Sequence, residues 1–129
     1  MSKETFNIKQ KAVIVPVAVK VDDHTTRDID FIVDTGTYET LICENRLRQM
    51  GYTRVDSIED VPIQTVGGNA TAYRYIIEDI TALGVTRRNF RVISHPMPSG
   101  SGAYGLLGLD FFEDKVLTID FKQAVISVN

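Results

Sequence analysis

One aspartate in this sequence sits where a reactive carboxylate would. Asp34 closes an apolar run, Phe31-Ile32-Val33, and enters the turn Thr35-Gly36-Thr37 ahead of a second apolar segment, Leu41-Ile42. A strand that ends in a glycine turn presents its carboxylate on stiff backbone, and the missing Cβ lets other groups approach closely. Two such carboxylates a few ångströms apart cannot both ionise easily, so they share one proton. The charged member can then take a proton from water while the neutral member donates to a carbonyl oxygen. The Asp-Thr-Gly triplet occurs once in the 129 residues, so a pair requires a second copy of the chain. Taken alone, the triplet is also compatible with an ordinary turn after a strand.

The elements that must position Asp34 read as mostly β. Ala12 to Val21 carries Val13, Val15, Val17, Val19 and Val21 on one parity, and Ile29, Phe31 and Val33 alternate into the aspartate. With the turn residues Asp22 to Thr26 between them, these runs predict a hairpin whose second arm ends at Asp34. A helix is expected over Cys43 to Met50, stopped by Gly51. A second hairpin is expected between Val61 and Asp79. Its tip is Val66-Gly67-Gly68-Asn69, where the glycines and Asn69 would supply positive φ. Ile80–Leu83 and Asn89–Ser94 read as two further strands about Gly84, followed by an irregular loop from His95 to Gly102. Leu109 to Asp114 reads as a short helix. Val116–Phe121 and Ala124–Val128 form a closing hairpin.

Composition bounds the function classes. The length fits one domain, 1–129, with a real core. Fourteen basic against seventeen acidic residues give a net charge of −3, which argues against nucleic acid or an anionic membrane surface as partner. No apolar stretch approaches the roughly 20 residues of a membrane span. The first apolar segment is broken by Lys9, Lys11, Pro16 and Lys20, unlike a signal peptide. Cys43 is the sole cysteine, which excludes an intrachain disulfide and makes a reducing cytoplasm the expected location. His24 and His95 stand alone and form no metal motif, so neither metal nor cofactor is expected. Gly100 to Gly105 spells G-x-G-x-x-G. The prolines at 96 and 98 separate it from the preceding strand, where a dinucleotide site needs direct contact.

The chain resembles the retropepsin-like aspartic peptidases, the single-domain, retroviral type. Three elements appear in the family's order: Asp34-Thr35-Gly36 with Thr40-Leu41-Ile42 behind it, the glycine-tipped hairpin at Gly67-Gly68, and Leu106-Leu107-Gly108 leading into Leu109-Asp110-Phe111-Phe112. The resemblance implies a closed, acid-protease-like barrel of mostly antiparallel strands with one or two short helices, assembled as a two-fold homodimer. It implies an aspartic endopeptidase with Asp34 catalytic, Thr35 binding across the two-fold axis, and Val66 to Asn69 as a flap over an extended peptide. It also implies an interface that interleaves chain termini, with Ala124–Val128 the best-suited strand. Many retroviral members place an aspartate four residues after the catalytic one and an arginine after the late glycine; here these positions hold Tyr38 and Leu109. Thr37 stands where they usually have alanine, and a hydroxyl there would favour the ionised carboxylate and an optimum below neutrality. The alternative is a catalytically silent dimer of the same fold that binds peptides or scaffolds a partner.

Overall fold

The computed structural model describes residues 2–97 and 100–129. Pro98 and Ser99, part of the irregular loop expected over His95 to Gly102, lie outside the described residues.

The polar opening of the chain, for which the sequence announced no element, is a strand: β1, Ser2–Thr5. The valine repeat then forms β2, Ile14–Asp22, with Val15, Val17 and Val19 fully buried. A tight turn follows in which the Asp22 carboxylate accepts the His24 N–H at 2.8 Å. β3, Thr25–Val33, returns antiparallel to β2 and buries Ile29 and Phe31. Beyond Asp34 come β4, Leu41–Cys43, and α1, Glu44–Gln49. The helix is two residues shorter than expected, but it stops at Gly51, which takes the left-handed conformation (φ +96°).

β5, Glu59–Thr65, and β6, Gly68–Ala82, make the glycine-tipped hairpin. Ile80–Leu83 is not a separate strand: Ile80 to Ala82 end the 15-residue β6, and Leu83 lies in the turn beyond it. The acidic step at Glu78-Asp79 reads as a boundary in sequence, yet Glu78 simply points outward between buried Ile77 and Ile80. Leu83 (φ +53°) and Gly84 (φ +77°) then turn the chain into β7, Val85–His95, as two adjacent positive φ values do in a two-residue hairpin. β8, Gly105–Leu107, leads into a 3₁₀ turn, Leu109–Phe112, in place of the expected helix to Asp114. β9, Leu117–Asp120, and β10, Val125–Val128, close the chain.

Six strands close a barrel in the order β2-β3-β8-β4-β7-β6, sealed by pairing of Ala18 with Thr81 and Val19 with Ile80. β5 hangs on the outer side of β6. Around Val15, Val17, Phe31, Ile42, Ile77, Ile80, Leu107 and Phe111 the core is fully shielded from solvent. A separate three-stranded sheet has the order β1-β10-β9. Its middle strand is β10, so the Ala124–Val128 segment expected to contact a partner has both edges filled within its own chain.

The topology decides how Asp34 is held. β8 lies between β3, to which it is parallel, and β4, to which it is antiparallel. The loop joining β3 to β4 must therefore arch over the end of β8.

Candidate active site

Asp34 is the first residue of that arch. Its N–H donates to the Leu107 carbonyl at 2.9 Å, which fixes it to β8. Its Oδ1 accepts the Gly36 N–H at 3.0 Å, so the carboxylate is oriented by the turn it begins. The side chain remains partly exposed, and Thr35 and Gly36 beside it are exposed. Thr37 donates its backbone N–H to the Asp34 carbonyl at 3.3 Å. Among the described residues no hydrogen bond joins the Thr37 hydroxyl to the Asp34 carboxylate.

The arch is clasped from below. Leu109 N–H donates to Thr37 O and Asp110 N–H to Tyr38 O, both at 2.9 Å. Gly108 passes so close that a Cβ there would stand 2.5 Å from the Tyr38 carbonyl oxygen. Thr40, fully buried, ends the arch. Its hydroxyl donates to Asp110 Oδ1 at 2.7 Å and accepts the Gly108 N–H at 3.1 Å. Its own N–H reaches both Asp110 oxygens at 3.0 and 3.1 Å. Burial raises the Asp110 carboxyl above the ordinary aspartate value, against the opposing pull of the Thr40 hydrogen bonds. Sequence reasoning gave Asp110 no role. Its nearest signal was position, two residues after the Leu106-Leu107-Gly108 element.

Tyr38 and Leu109, where a charged pair was noted as missing, are both exposed. The Tyr38 hydroxyl donates to Glu113 Oε1 at 3.1 Å. Glu39 turns to the hairpin instead: Arg74 of β6 pairs with Glu39, its Nη2 at 3.2 Å from Oε1, and with Glu59 of β5. Hydrogen bonding to Glu39, more than that to Glu59, holds the Arg74 guanidinium firmly protonated. This ion-pair group links the arch to the base of the hairpin. It joins residues 35 apart, and no local pattern announces it.

At the tip, Thr65 faces Gly68, so the loop itself is Val66-Gly67. Gly68 has φ +114°, while Gly67 and Asn69 do not take positive φ, contrary to the expectation for all three. The Thr65 hydroxyl donates to Gly68 O at 2.9 Å. Residues 64–69 are all exposed, Val66 completely. A shallow groove of about 500 Å³ on this hairpin is lined by Pro62, Ile63, Gln64, Asn69, Ala70 and Thr71. A concavity of about 700 Å³ lies elsewhere, between α1 and the loop entering β8, and Asp34 does not line it. Gly105 is a packing glycine, since a Cβ there would lie 2.5 Å from the Phe31 ring.

Compared by family, residues 17–111 match the model described as aspartyl protease. The chain belongs to the aspartyl protease family. Its fold is shared by solved structures of retropepsin-like proteases. One is the crystal structure of a retropepsin-like aspartic protease from Rickettsia conorii: TM-score 0.73, 17% identity, 98% of this chain and 88% of that one covered. Another is EIAV protease complexed with the inhibitor HBY-793: TM-score 0.59, 18% identity, 86% and 93% covered. Among curated proteins no sequence matches this chain. No helix among its described residues is long and apolar enough to cross a membrane.

Proposed function

We propose that the protein is an aspartic endopeptidase that works as a two-fold homodimer, with Asp34 and the partner's Asp34 forming the catalytic pair. The observation that carries this reading is the mounting of Asp34: a partly exposed carboxylate, oriented by the Gly36 N–H and bolted to β8 through its own N–H. A structural turn has no need of a second support beneath it, whereas a reacting group must keep its position as charge moves.

In the pair, the ionised carboxylate takes a proton from water. The hydroxyl oxygen attacks the scissile carbonyl while the protonated carboxyl donates to the carbonyl oxygen. Collapse of the tetrahedral intermediate transfers a proton to the leaving nitrogen and restores the pair. Activity then follows a bell with pH, because one carboxyl must be charged and its neighbour neutral. Thr35 ties the two turns together across the axis. The Val66–Asn69 hairpin closes over an extended peptide and excludes water.

The test is cleavage of a diverse peptide library by wild type and by Asp34→Asn, with and without a transition-state-like inhibitor of aspartic peptidases. Asp34→Asn should bind peptides, fold normally and lose cleavage. Cleavage by Asp34→Asn at the wild-type rate would overturn the mechanism. Peptide binding without cleavage by wild type would instead favour the silent peptide-binding module.

A further inference from the structure

Arg87 lies in β7, paired with Ile80 of β6, and is half-buried. Phe90 of the same strand stacks edge-on against Phe111, with ring centres 6.0 Å apart, and the Arg87 guanidinium lies 5.9 Å from the centre of that same Phe111 ring. Residues an odd number apart face opposite sides of a regular strand. Asn89, between them, takes the left-handed conformation (φ +49°), which breaks the alternation and lets both side chains meet Phe111. Asparagine is among the few residues that visit this region readily.

The guanidinium makes two hydrogen bonds, both to backbone. Nε donates to Phe111 O at 3.0 Å and Nη2 donates to Glu113 O at 2.6 Å. None of the ion pairs among the described residues includes Arg87. Its planar fork bridges two carbonyls at the C-terminal end of the 3₁₀ turn, where helical bonding leaves carbonyls without partners. Two routes lead from there to the active-site arch. The turn donates its Leu109 and Asp110 N–H groups to Thr37 O and Tyr38 O. Glu113, whose carbonyl Arg87 holds, accepts the Tyr38 hydroxyl on its carboxylate. From Asp34 to Thr40 the chain belongs to no strand, so contacts of this kind set where the arch sits.

We propose that Arg87 is a positioning residue for Asp34. It touches neither the carboxylate nor a reacting atom. It fixes the 3₁₀ turn and Glu113 to each other, and these hold the arch at Thr37 and Tyr38. The support follows from the geometry; its kinetic consequence rests on the two-carboxylate reading.

Two variants test it. Arg87→Met removes both hydrogen bonds and keeps an apolar stem against Phe111. Arg87→Lys keeps the charge, but as a point donor it cannot bridge both carbonyls. In Arg87→Met, hydrogen exchange should accelerate at Leu109 and Asp110 and stay unchanged at Val17 and Val19 of β2. The Asp34 carboxyl-carbon resonance should shift. With peptide substrate, kcat should fall about tenfold at unchanged KM, short of the ~100-fold that roughly 1 Å of misplacement can cost. Arg87→Lys should lie between Arg87→Met and wild type. Faster exchange in β2 as well, with kcat falling in step with the folded fraction, would make Arg87 a structural cap and overturn the proposal. Full wild-type kcat in Arg87→Lys would overturn the bridging role. Unchanged exchange at Leu109 and Asp110 with normal kcat in Arg87→Met would overturn the support, while an inactive Asp34→Asn would leave the catalytic pair standing. If wild type cleaves no peptide, the catalytic reading fails on its own. The Asp34 resonance then decides the support: a shift in Arg87→Met upholds it and an unmoved resonance overturns it.

Discussion

Gly36 and Gly108 flank the same carboxylate and are glycine for different reasons. Neither has positive φ, so alanine is allowed by the backbone at both and what matters is what its Cβ meets. At Gly36 the Cβ would lie 3.2 Å from Asp34 Oδ1, the end of a side chain. At Gly108 it would meet the Tyr38 carbonyl, which is backbone held by the clasp. Gly36→Ala should therefore shift the carboxylate and lower cleavage by about tenfold or more, as about 1.4 kcal/mol of lost positioning would, with little change in stability. Gly108→Ala should cost roughly 1–3 kcal/mol of stability through overpacking. Urea denaturation and peptide cleavage on the two variants check the contrast, and equal effects from both would refute it. Asp110 makes a second test at this scale. Its carboxyl is raised by burial, so the folded state binds its proton more tightly than the unfolded chain does. Stability from this group is fully present below the ordinary aspartate value and is lost as pH rises through the raised folded value. Asp110→Asn keeps an acceptor for Thr40 and cannot titrate. The urea midpoint of wild type minus that of Asp110→Asn should thus fall as pH rises across this window, and a difference that rises with pH would reverse the assignment.

Elements differ in how much of themselves they show in sequence. The valine parity of β2, the run into Asp34, the glycine hairpin and the closing pair β9–β10 were all legible, because each carries its own period or its own turn. β4 and β8 have three residues each, too short for any period, and were visible only inside the resemblance. β1 was hidden because, as an edge strand carrying Lys3 and Glu4, it looks like solvent-facing chain. The clasp and the Arg74 group were hidden for a deeper reason: their partners come together only once β8 is inserted between β3 and β4. That Arg74 group yields an element-scale prediction. Its side chain is 14% exposed and ties the base of the hairpin to Glu39. Arg74→Gln should leave the barrel folded, at a cost of about 1 kcal/mol for these partly solvated pairs. Hydrogen exchange should accelerate at 59–74, and KM should rise more than kcat falls, as the hairpin loses its registration over the site. Unchanged exchange with reduced kcat alone would make Arg74 part of the catalytic step instead.

At the scale of the whole molecule, the proposed mechanism makes the arch, the clasp and the hairpin half of a site. One chain has one Asp-Thr-Gly turn and one Val66-Gly67 hairpin tip, and the 700 Å³ concavity is not lined by Asp34. A cleft that forms between two copies has a consequence that a cleft within one copy lacks: a defective chain poisons its partner. If wild type and Asp34→Asn exchange freely and associate equally, random pairing in an equal mixture leaves about a quarter of the dimers with both carboxylates. Activity should then be about a quarter of that given by wild type alone at the same total chain concentration. A chain that carried a complete site would give half, because its neighbour would be irrelevant. A dimer able to work with a single aspartate would give more than a quarter. Titrating Asp34→Asn into wild type at fixed total concentration separates these cases by the curvature of the plot. The two-carboxylate mechanism requires activity to fall as the square of the wild-type fraction, and a straight line to zero would return the whole reaction to the single chain.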